Sequence, residues 1–513
     1  MSESEIQNQG RTFNSLRNVK VSVICQCLGI IISFLLRRVF VSTLSSEYLG
    51  VHGTFTSILS MLSLAELGVG SAISYSLYKP IAENNRDQIC ALMQLYRKVY
   101  FVIGCIVFLL GGVLTPLLQF IVRDLPELPY IRLIFFLFVV NSASSYFFTY
   151  KQSLITATQN KYIVSLYHYG LNALMYLVQA FFLLISKNYI LYLVTEFVFV
   201  FIRNVLLAKK ADKLFPEYVK KTSAALEKDT RKSIIRNTKA MMAHRLGGVV
   251  VLGTDNLLIS YFVGFISTGL YSNYRMVTSG LGAVLNTVFH SLTASVGNLG
   301  ATEDHTHALL VFRRVDFAAR WLFGFSAICL AVLFNPFIEL WVGREYLFDE
   351  KIVLVIAINY YLSGMRQSVL TFRDAYGLYW YDRWKPVAEI IINLTSSILL
   401  ARVYGVLGIL LGTLISTLLT CFWMEPYVLY KYALKAPIRN YFLSYLIGVV
   451  ITITAGALVW WICGLLPNGG WALWLLKCAV CVALSNLLFA IAFHKNPMFS
   501  YFLNLLKLPI RKQ

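Results

Sequence analysis

The chain has 513 residues, of which 58% are hydrophobic and only 14% charged, with a formal net charge of +20. Soluble globular domains carry about 25% charged residues, so this composition excludes an ordinary soluble enzyme or binding module and indicates an integral membrane protein. The positive sign does not call for nucleic acid, because cytoplasmic loops of membrane proteins collect Lys and Arg.

The chain opens on a polar stretch, MSESEIQNQGRTFNSLRN, followed by an apolar run that no small-residue cleavage site ends, so the first span is expected to be retained. A span needs roughly 20 apolar residues to cross about 30 Å of hydrocarbon. Runs of that kind lie near 19–43, 49–76, 99–122, 129–150, 162–186, 189–208, 240–263, 269–297, 312–336, 351–372, 386–403, 406–430, 439–464 and 471–494. An all-α protein of about 14 transmembrane helices is expected, with both termini on one side. Placing the N-terminus in the cytoplasm puts roughly 31 Lys and Arg inside against roughly 7 outside, which orients the chain with both ends cytoplasmic.

The largest contributor is KKADKLFPEYVKKTSAALEKDTRKSIIRNTK, residues 209–239, read as a basic cytoplasmic linker between two bundles. The expected organisation is an N-terminal lobe over 1–208, the linker, a C-terminal lobe over 240–430, and two extra spans with a cytoplasmic tail over 431–513. A shift of 219 residues lays LGVHGTF (49–55) on TGLYSNY (268–274), matching Gly50 with Gly269 and Phe55 with Tyr274. Six spans per repeat preserve orientation, so the two lobes are expected to be pseudo-symmetric about an axis along the membrane normal.

Charged residues inside apolar runs are the functional candidates, since an arginine at a bilayer centre costs at least roughly 2.5–3.5 kcal/mol. Arg37 and Arg38 (span one), Glu196 (span six), Asp255 (span seven) and Arg275 (span eight) fall at similar depth, roughly 10 Å below the outer face at 1.5 Å per residue. Glu66 and Arg203 lie deeper. Asp316 and Arg320, spaced i, i+4, are expected to satisfy each other, with Arg366 also toward the inner side. Adjacent helix positions differ by about 100°, so Arg37 and Arg38 point in different directions: one toward an aqueous cavity, the other paired laterally or snorkelling. A cationic cavity suits phosphate oxygens, and pairing of Arg37 or Arg38 with Asp255 or Glu196 is expected when the outer side is closed.

The nine cysteines lie almost wholly in apolar runs, where neither zinc nor redox chemistry is expected. Asp304, His305 and His307 form a D-H-x-H group on a short inner loop without further ligands, so no metal site is expected. His52 and His168 are read as structural. No P-loop, dinucleotide fingerprint or nucleophile elbow is present.

Four segments carry a resemblance: LSSEYLGVHGTFTSILSMLSLAELGVGSAISYSLYKPIAE (44–83), GTDNLLISYFVGFISTGLYSNYRM (253–276), SVGNL (295–299) and RDAYGLYWYDRWKP (373–386). Together they make most of residues 17–430 resemble the bacterial Wzx-type oligosaccharide flippases, whose superfamily also holds the MATE multidrug exporters and the lipid II flippase. The resemblance implies two six-helix lobes in a V around a central cavity and a location in the bacterial cytoplasmic membrane. It implies a non-enzymatic role in cell-surface polysaccharide assembly: moving an undecaprenyl-pyrophosphate-linked oligosaccharide to the outer leaflet, among membrane lipids and alongside other polysaccharide-assembly proteins. It further implies that first-span arginines, here Arg37 and Arg38, receive the pyrophosphate. Arg275 departs from the apolar residue expected there, which leaves it open as a substrate contact, with Arg203 as a further cavity cation. Coupling to H⁺ or Na⁺ through Glu66, Glu196 or Asp255 is an open reading, and no other cofactor is expected. A MATE-like cation antiporter is the nearer rival; a membrane-embedded polymerase or glycosyltransferase is the more distant one.

Overall fold

The computed structural model describes residues 24–66, 76–78, 80–81, 83–122, 125–158, 160–218, 253–302, 305–467 and 469–507. These residues form helices and connections, with no strand among them. In chain order the helices are α1 (Ile24–Thr43), α2 (Ser46–Leu62), α3 (Arg86–Leu114), α4 (Ile131–Ala157), α5 (Lys161–Ser186), α6 (Tyr189–Leu214) and α7 (253–262). The second half adds α8 (Phe265–Thr302), α9 (His305–Trp341), α10 (Glu350–Tyr376), α11 (Lys385–Tyr404), α12 (Val406–Leu434), α13 (Arg439–Gly464), α14 (Gly470–Phe493) and α15 (Pro497–Lys507).

Ten of these are long and apolar enough to cross a membrane: α1, α3 to α6, α9 and α11 to α14. Helices also lie over the described parts of the other expected runs, the seventh being described only from residue 253, but α2 has only 17 residues and continues into a tight turn, Ser63–Glu66. Residues 67–75 of the second expected run, 219–239 of the linker, and Asp304 fall outside the described residues. α8 and α9 have 38 and 37 residues, about 55 Å each at 1.5 Å per residue. They therefore extend well beyond a hydrocarbon layer of about 30 Å.

The chain forms two compact units, Met1–Gly269 and Leu270–Gln513, divided inside α8. The division falls there because α7 and the first turn of α8 pack on α2. Asn256 donates to Ser57 at 3.0 Å, and the backbones of α2 and α8 meet at two glycines. A Cβ on Gly50 would stand 1.9 Å from the Phe265 carbonyl oxygen, and one on Gly269 would stand 2.7 Å from that of Ser46. Under the 219-residue shift Ser46 maps to Phe265 and Gly50 to Gly269, so each glycine meets the counterpart of its mate's partner. This reciprocity is the pattern of two segments related by a local two-fold axis.

In the first unit, aromatic and aliphatic residues of α3 and α4, among them Tyr96, Tyr100, Ile103, Tyr146 and Leu154, form a buried core. In the second, α9, α13 and α14 share a core through Ile328, Val459, Cys463, Cys481 and Phe489. The tail beyond the last expected span is not irregular. As α15 it returns to α9, stacking Phe499 on Trp321 and Phe502 on Phe317 and seating Tyr501 under Arg314.

Gly50→Ala and Gly269→Ala are each expected to destabilise the protein by about 1–3 kcal/mol through overpacking. Gly112, whose added Cβ would meet nothing within 4 Å, is the control: Gly112→Ala leaves stability unchanged or raises it by up to about 1 kcal/mol. Unfolding midpoints in detergent measure all three, and equal midpoints for Gly50→Ala and Gly112→Ala would remove the close approach from the account.

Candidate functional site

On α1 the exposed residues Ile24, Leu28, Ile31, Leu35 and Arg38 recur every three or four positions and form one stripe. An apolar stripe of this kind suits contact with lipid. Arg38 sits near its end, where a guanidinium can snorkel toward the interface. Arg37 turns the other way, half-buried between Leu36 and Phe40. It lies within electrostatic reach of Tyr176 on α5 and of Tyr189 and Tyr192 on α6. The two arginines thus separate in direction, as 3.6 residues per turn dictates.

Around Arg37 the first unit holds a band of rings. His52 Nδ1 is 3.0 Å from the Tyr189 hydroxyl, Tyr189 and Tyr192 stack at 5.8 Å, and Phe40 packs edge-on against both. His52 is thus packed into this band of rings. Deeper along α6 lie Glu196, which accepts from the Asn141 amide at 3.0 Å, and Arg203, which donates to the Asn172 side-chain oxygen at 2.6 Å. Tyr176 is within electrostatic reach of Arg37, Glu196 and Arg203 alike, so these three charges belong to one cluster on α1, α5 and α6. His168 adjoins it through Asn172 at 3.3 Å.

The same seam carries neutral amides that an inventory of charges passes over. Gln152 donates to Asn204 at 3.1 Å and Gln179 to the Tyr192 carbonyl at 3.2 Å. Among the described residues, Asn141 Oδ1, Gln179 Oε1 and Asn204 Nδ2 are buried without a hydrogen-bond partner. Such orphaned atoms are uncommon in a packed interior, and they give the seam unused hydrogen-bonding capacity.

The other expected site residues stand elsewhere. Glu66 closes the turn after α2 and accepts from the Tyr100 hydroxyl at 3.4 Å, with Tyr146 also bonded to it. Asp255 is buried on α7. Arg275 is half-buried on α8 and belongs to the second unit.

The second unit holds an ionic lattice that spacing along the sequence does not reveal. Glu425 on α12 is fully buried and receives Arg366 through two bonds, at 2.7 and 2.9 Å, and Lys385 at 2.6 Å, with Arg373 3.8 Å away. Arg373 also binds Asp382 at 2.9 Å, and Lys385 reaches Glu389 at 3.4 Å. Three cations meet three buried carboxylates, and Arg373 also pairs with the half-buried Asp374 at 3.3 Å, so the lattice carries no excess of positive charge. Glu425 was visible as a lone acid in an apolar run beside Pro426, a combination that marks a paired buried charge. Two π-helical turns flank this part of α12, at Thr417–Cys421 and Tyr430–Leu434. The expected Asp316–Arg320 pair forms nearby, and Ser368 donates to Asp316 at 2.9 Å.

This all-helical architecture is similar in fold to solved structures of a lipid II flippase and of MATE transporters. The chain is similar to the lipid II flippase MurJ in its inward closed conformation, with a TM-score of 0.66 at 13% identity over 92% of this chain and 99% of that one. It is similar also to an inward-facing multidrug-resistance MATE transporter of the MOP superfamily (TM-score 0.59, 12% identity, 82% and 99% covered). A variant of the MATE transporter VcmN of Vibrio cholerae gives 0.58 at 14% identity, with 84% and 99% covered. These neighbours are a flippase and transporters rather than enzymes. No family model matches the sequence, and no curated protein does either.

Removing Glu425 strands its cations in a dry interior, which costs about 3–5 kcal/mol. Glu425→Ala is therefore expected to lower unfolding stability in detergent by that amount, whereas Lys385→Met combined with Glu425→Met recovers part of it. A Glu425→Ala protein as stable as the parent would show that the lattice is not ionised as drawn.

Proposed function

We propose that the chain is a flippase that carries an undecaprenyl-pyrophosphate-linked oligosaccharide from the cytoplasmic to the outer leaflet of the bacterial cytoplasmic membrane by alternating access. The observation that carries the reading is the Arg37, Glu196 and Arg203 cluster, net cationic and lined by rings and underused amides, on a MOP-transporter fold. That one similar structure is a lipid II flippase supports it further.

In this mechanism Arg37 takes the pyrophosphate. Its guanidinium already lies among tyrosine hydroxyls, so it enters the contact desolvated, and a charge-assisted hydrogen bond is worth more where water is scarce. Arg203, one helix face deeper, offers a second cationic position as the headgroup moves. Asn141, Gln179 and Asn204 supply donors and acceptors of the kind sugar hydroxyls need. Arg38 stays at the membrane interface. Glu66 favours a coupling role: its carboxylate is held by the neutral hydroxyls of Tyr100 and Tyr146, so it can take and release a proton without breaking those ties. A cation-driven exporter of MATE type is the second reading, and the same carboxylate supports it.

Reconstitution in liposomes with labelled undecaprenyl-pyrophosphate oligosaccharide tests the proposal. Leaflet transfer is expected to exceed that of empty liposomes. Arg37→Ala is expected to slow it about ten-fold or more, the worth of one charge-assisted hydrogen bond, while Arg38→Ala stays within about two-fold. Transfer no faster than in empty liposomes with any of a mixture of headgroups would sink the flippase reading. Extrusion of an organic cation under a proton or sodium gradient would install the second.

A further inference from the structure

The stretch between α10 and α11 carries a surface that neither the fold nor the cavity cluster explains. Gly377, at φ +66°, ends α10 in the left-handed conformation, and the chain then turns through Leu378–Trp384 before α11. Within this loop the residues sort sharply by direction. Asp382 is completely buried, and Lys385 just beyond is largely so. Trp380 and Trp384, at 68% and 69% exposure, are among the most exposed large side chains of the protein, with Tyr381 at 48%.

Two facts show that this exposure is built rather than incidental. First, the loop is pinned from beneath by the ionic lattice, through Asp382 to Arg373 at 2.9 Å and Lys385 to Glu425 at 2.6 Å. Its outward face is thereby fixed. Second, the exposed rings form a continuous strip with exposed cations. The Arg383 guanidinium lies 4.0 Å from the centre of the Trp380 ring and donates to the Trp380 carbonyl at 3.1 Å. Tyr381 stacks on Tyr432 at 3.8 Å. Lys431 lies 5.4 Å from the Tyr432 ring and bonds the Tyr427 hydroxyl at 2.9 Å. Exposed Lys435 and Arg439 follow on the connection to α13.

Amphipathic rings beside Arg and Lys are the chemistry of the bilayer interface, where rings sit at headgroup level and cations meet lipid phosphates. Both the α10–α11 and α12–α13 connections fall on the side that the Lys and Arg bias makes cytoplasmic, the leaflet rich in anionic lipid. We infer that the strip Trp380, Tyr381, Arg383, Tyr427, Lys431 and Tyr432 is a docking surface for the headgroups of anionic phospholipids of the surrounding bilayer. The strip lies in the second unit and stands independently of the proposed transport activity. It holds the end of α10 and the π-helical end of α12 at a fixed depth, so local lipid composition acts on the helices that carry the Glu425 lattice.

The test uses the full-length protein in vesicles containing acyl-chain-brominated phosphatidylglycerol or, at the same mole fraction, brominated phosphatidylcholine. Bromine quenches only nearby tryptophans, and the Trp380 contribution is the difference between the protein and its Trp380→Phe variant. Quenching of that contribution is expected to be stronger with the glycerol headgroup, reflecting a local enrichment of roughly five-fold per cation at low salt. Raised salt diminishes the difference, and Arg383→Gln with Lys431→Gln abolishes it while leaving quenching by the choline lipid in place. Equal quenching by the two lipids, or none by either, overturns the proposal. So does relief of the quenching by added inorganic phosphate, which would make the strip a site for a soluble anion.

Discussion

An ionised side chain carried into hydrocarbon must be met by a partner, whether on its own helix or on a neighbouring one, and the contacts of this protein answer that constraint. Glu425 is its clearest instance. A carboxylate alone on an apolar helix is not tolerable, and no other acid or base on α12 lies within a turn of it. Two cations from α10 and one from α11 therefore converge on it. Because breaking such a lattice costs more than forming it gains, it acts less as a source of stability than as a register mark. The observed arrangement of α10, α11 and α12 satisfies Arg366, Arg373, Lys385, Asp382 and Glu425 together. The π-helical turns beside Pro426 fit the same demand, since a proline removes one backbone donor and an added residue per turn re-aims the side chains that follow.

Hydrophobic run length made the all-helical, membrane-spanning class legible, while ten of the described helices, not fourteen, are long and apolar enough to span; Lys and Arg bias made orientation an expectation, because both signals are local in the chain. Side-chain direction on α1 was legible too: Arg37 and Arg38 diverge as helical geometry requires. Partners were not legible. Arg366 was noticed as an intramembrane charge, but its bonds to Glu425 span 59 positions, and nothing in the spacing of either residue names the other. Asp316 and Arg320, four apart, were the exception because their partnership is written into one helix. Neutral amides such as Asn141 and Asn172 escaped for a different reason: hydropathy ranks them as minor blemishes, while in a dry seam they are the groups that hold Glu196 and Arg203. The end of the 431–513 segment, expected as a cytoplasmic tail, forms α15, whose rings have flat partners on α9.

The 219-residue shift shows how a weak sequence signal becomes a physical one. A single shared glycine in LGVHGTF and TGLYSNY says little about ancestry. It gains meaning because Gly50 and Gly269 are both places where another backbone comes closer than any Cβ allows, and because their contacts are reciprocal. A side chain at either position would force α2 and α8 apart, so both need glycine for the same steric reason. The two segments match at the one position where packing demands glycine in both.

The two units handle charge in opposite ways, and this contrast bears on where a ligand can be held. In the second unit three cations close on three buried carboxylates and on Asp374, leaving no excess of positive charge with which to attract an anion. In the first, Arg203 is tied to an amide and Glu196 to another, neutral partners that fix geometry without cancelling charge, while Arg37 stands among tyrosines. A charge held by a neutral partner keeps most of its field, and a low-dielectric surround extends that field's reach. Two arginines against one glutamate then leave the seam of α1, α5 and α6 cationic. This imbalance supports an anionic cargo more directly than the fold does, because the fold is shared with exporters of other chemistry. On the proposed reading the first unit binds the cargo, and the second, with its aromatic strip turned outward, holds position against the membrane.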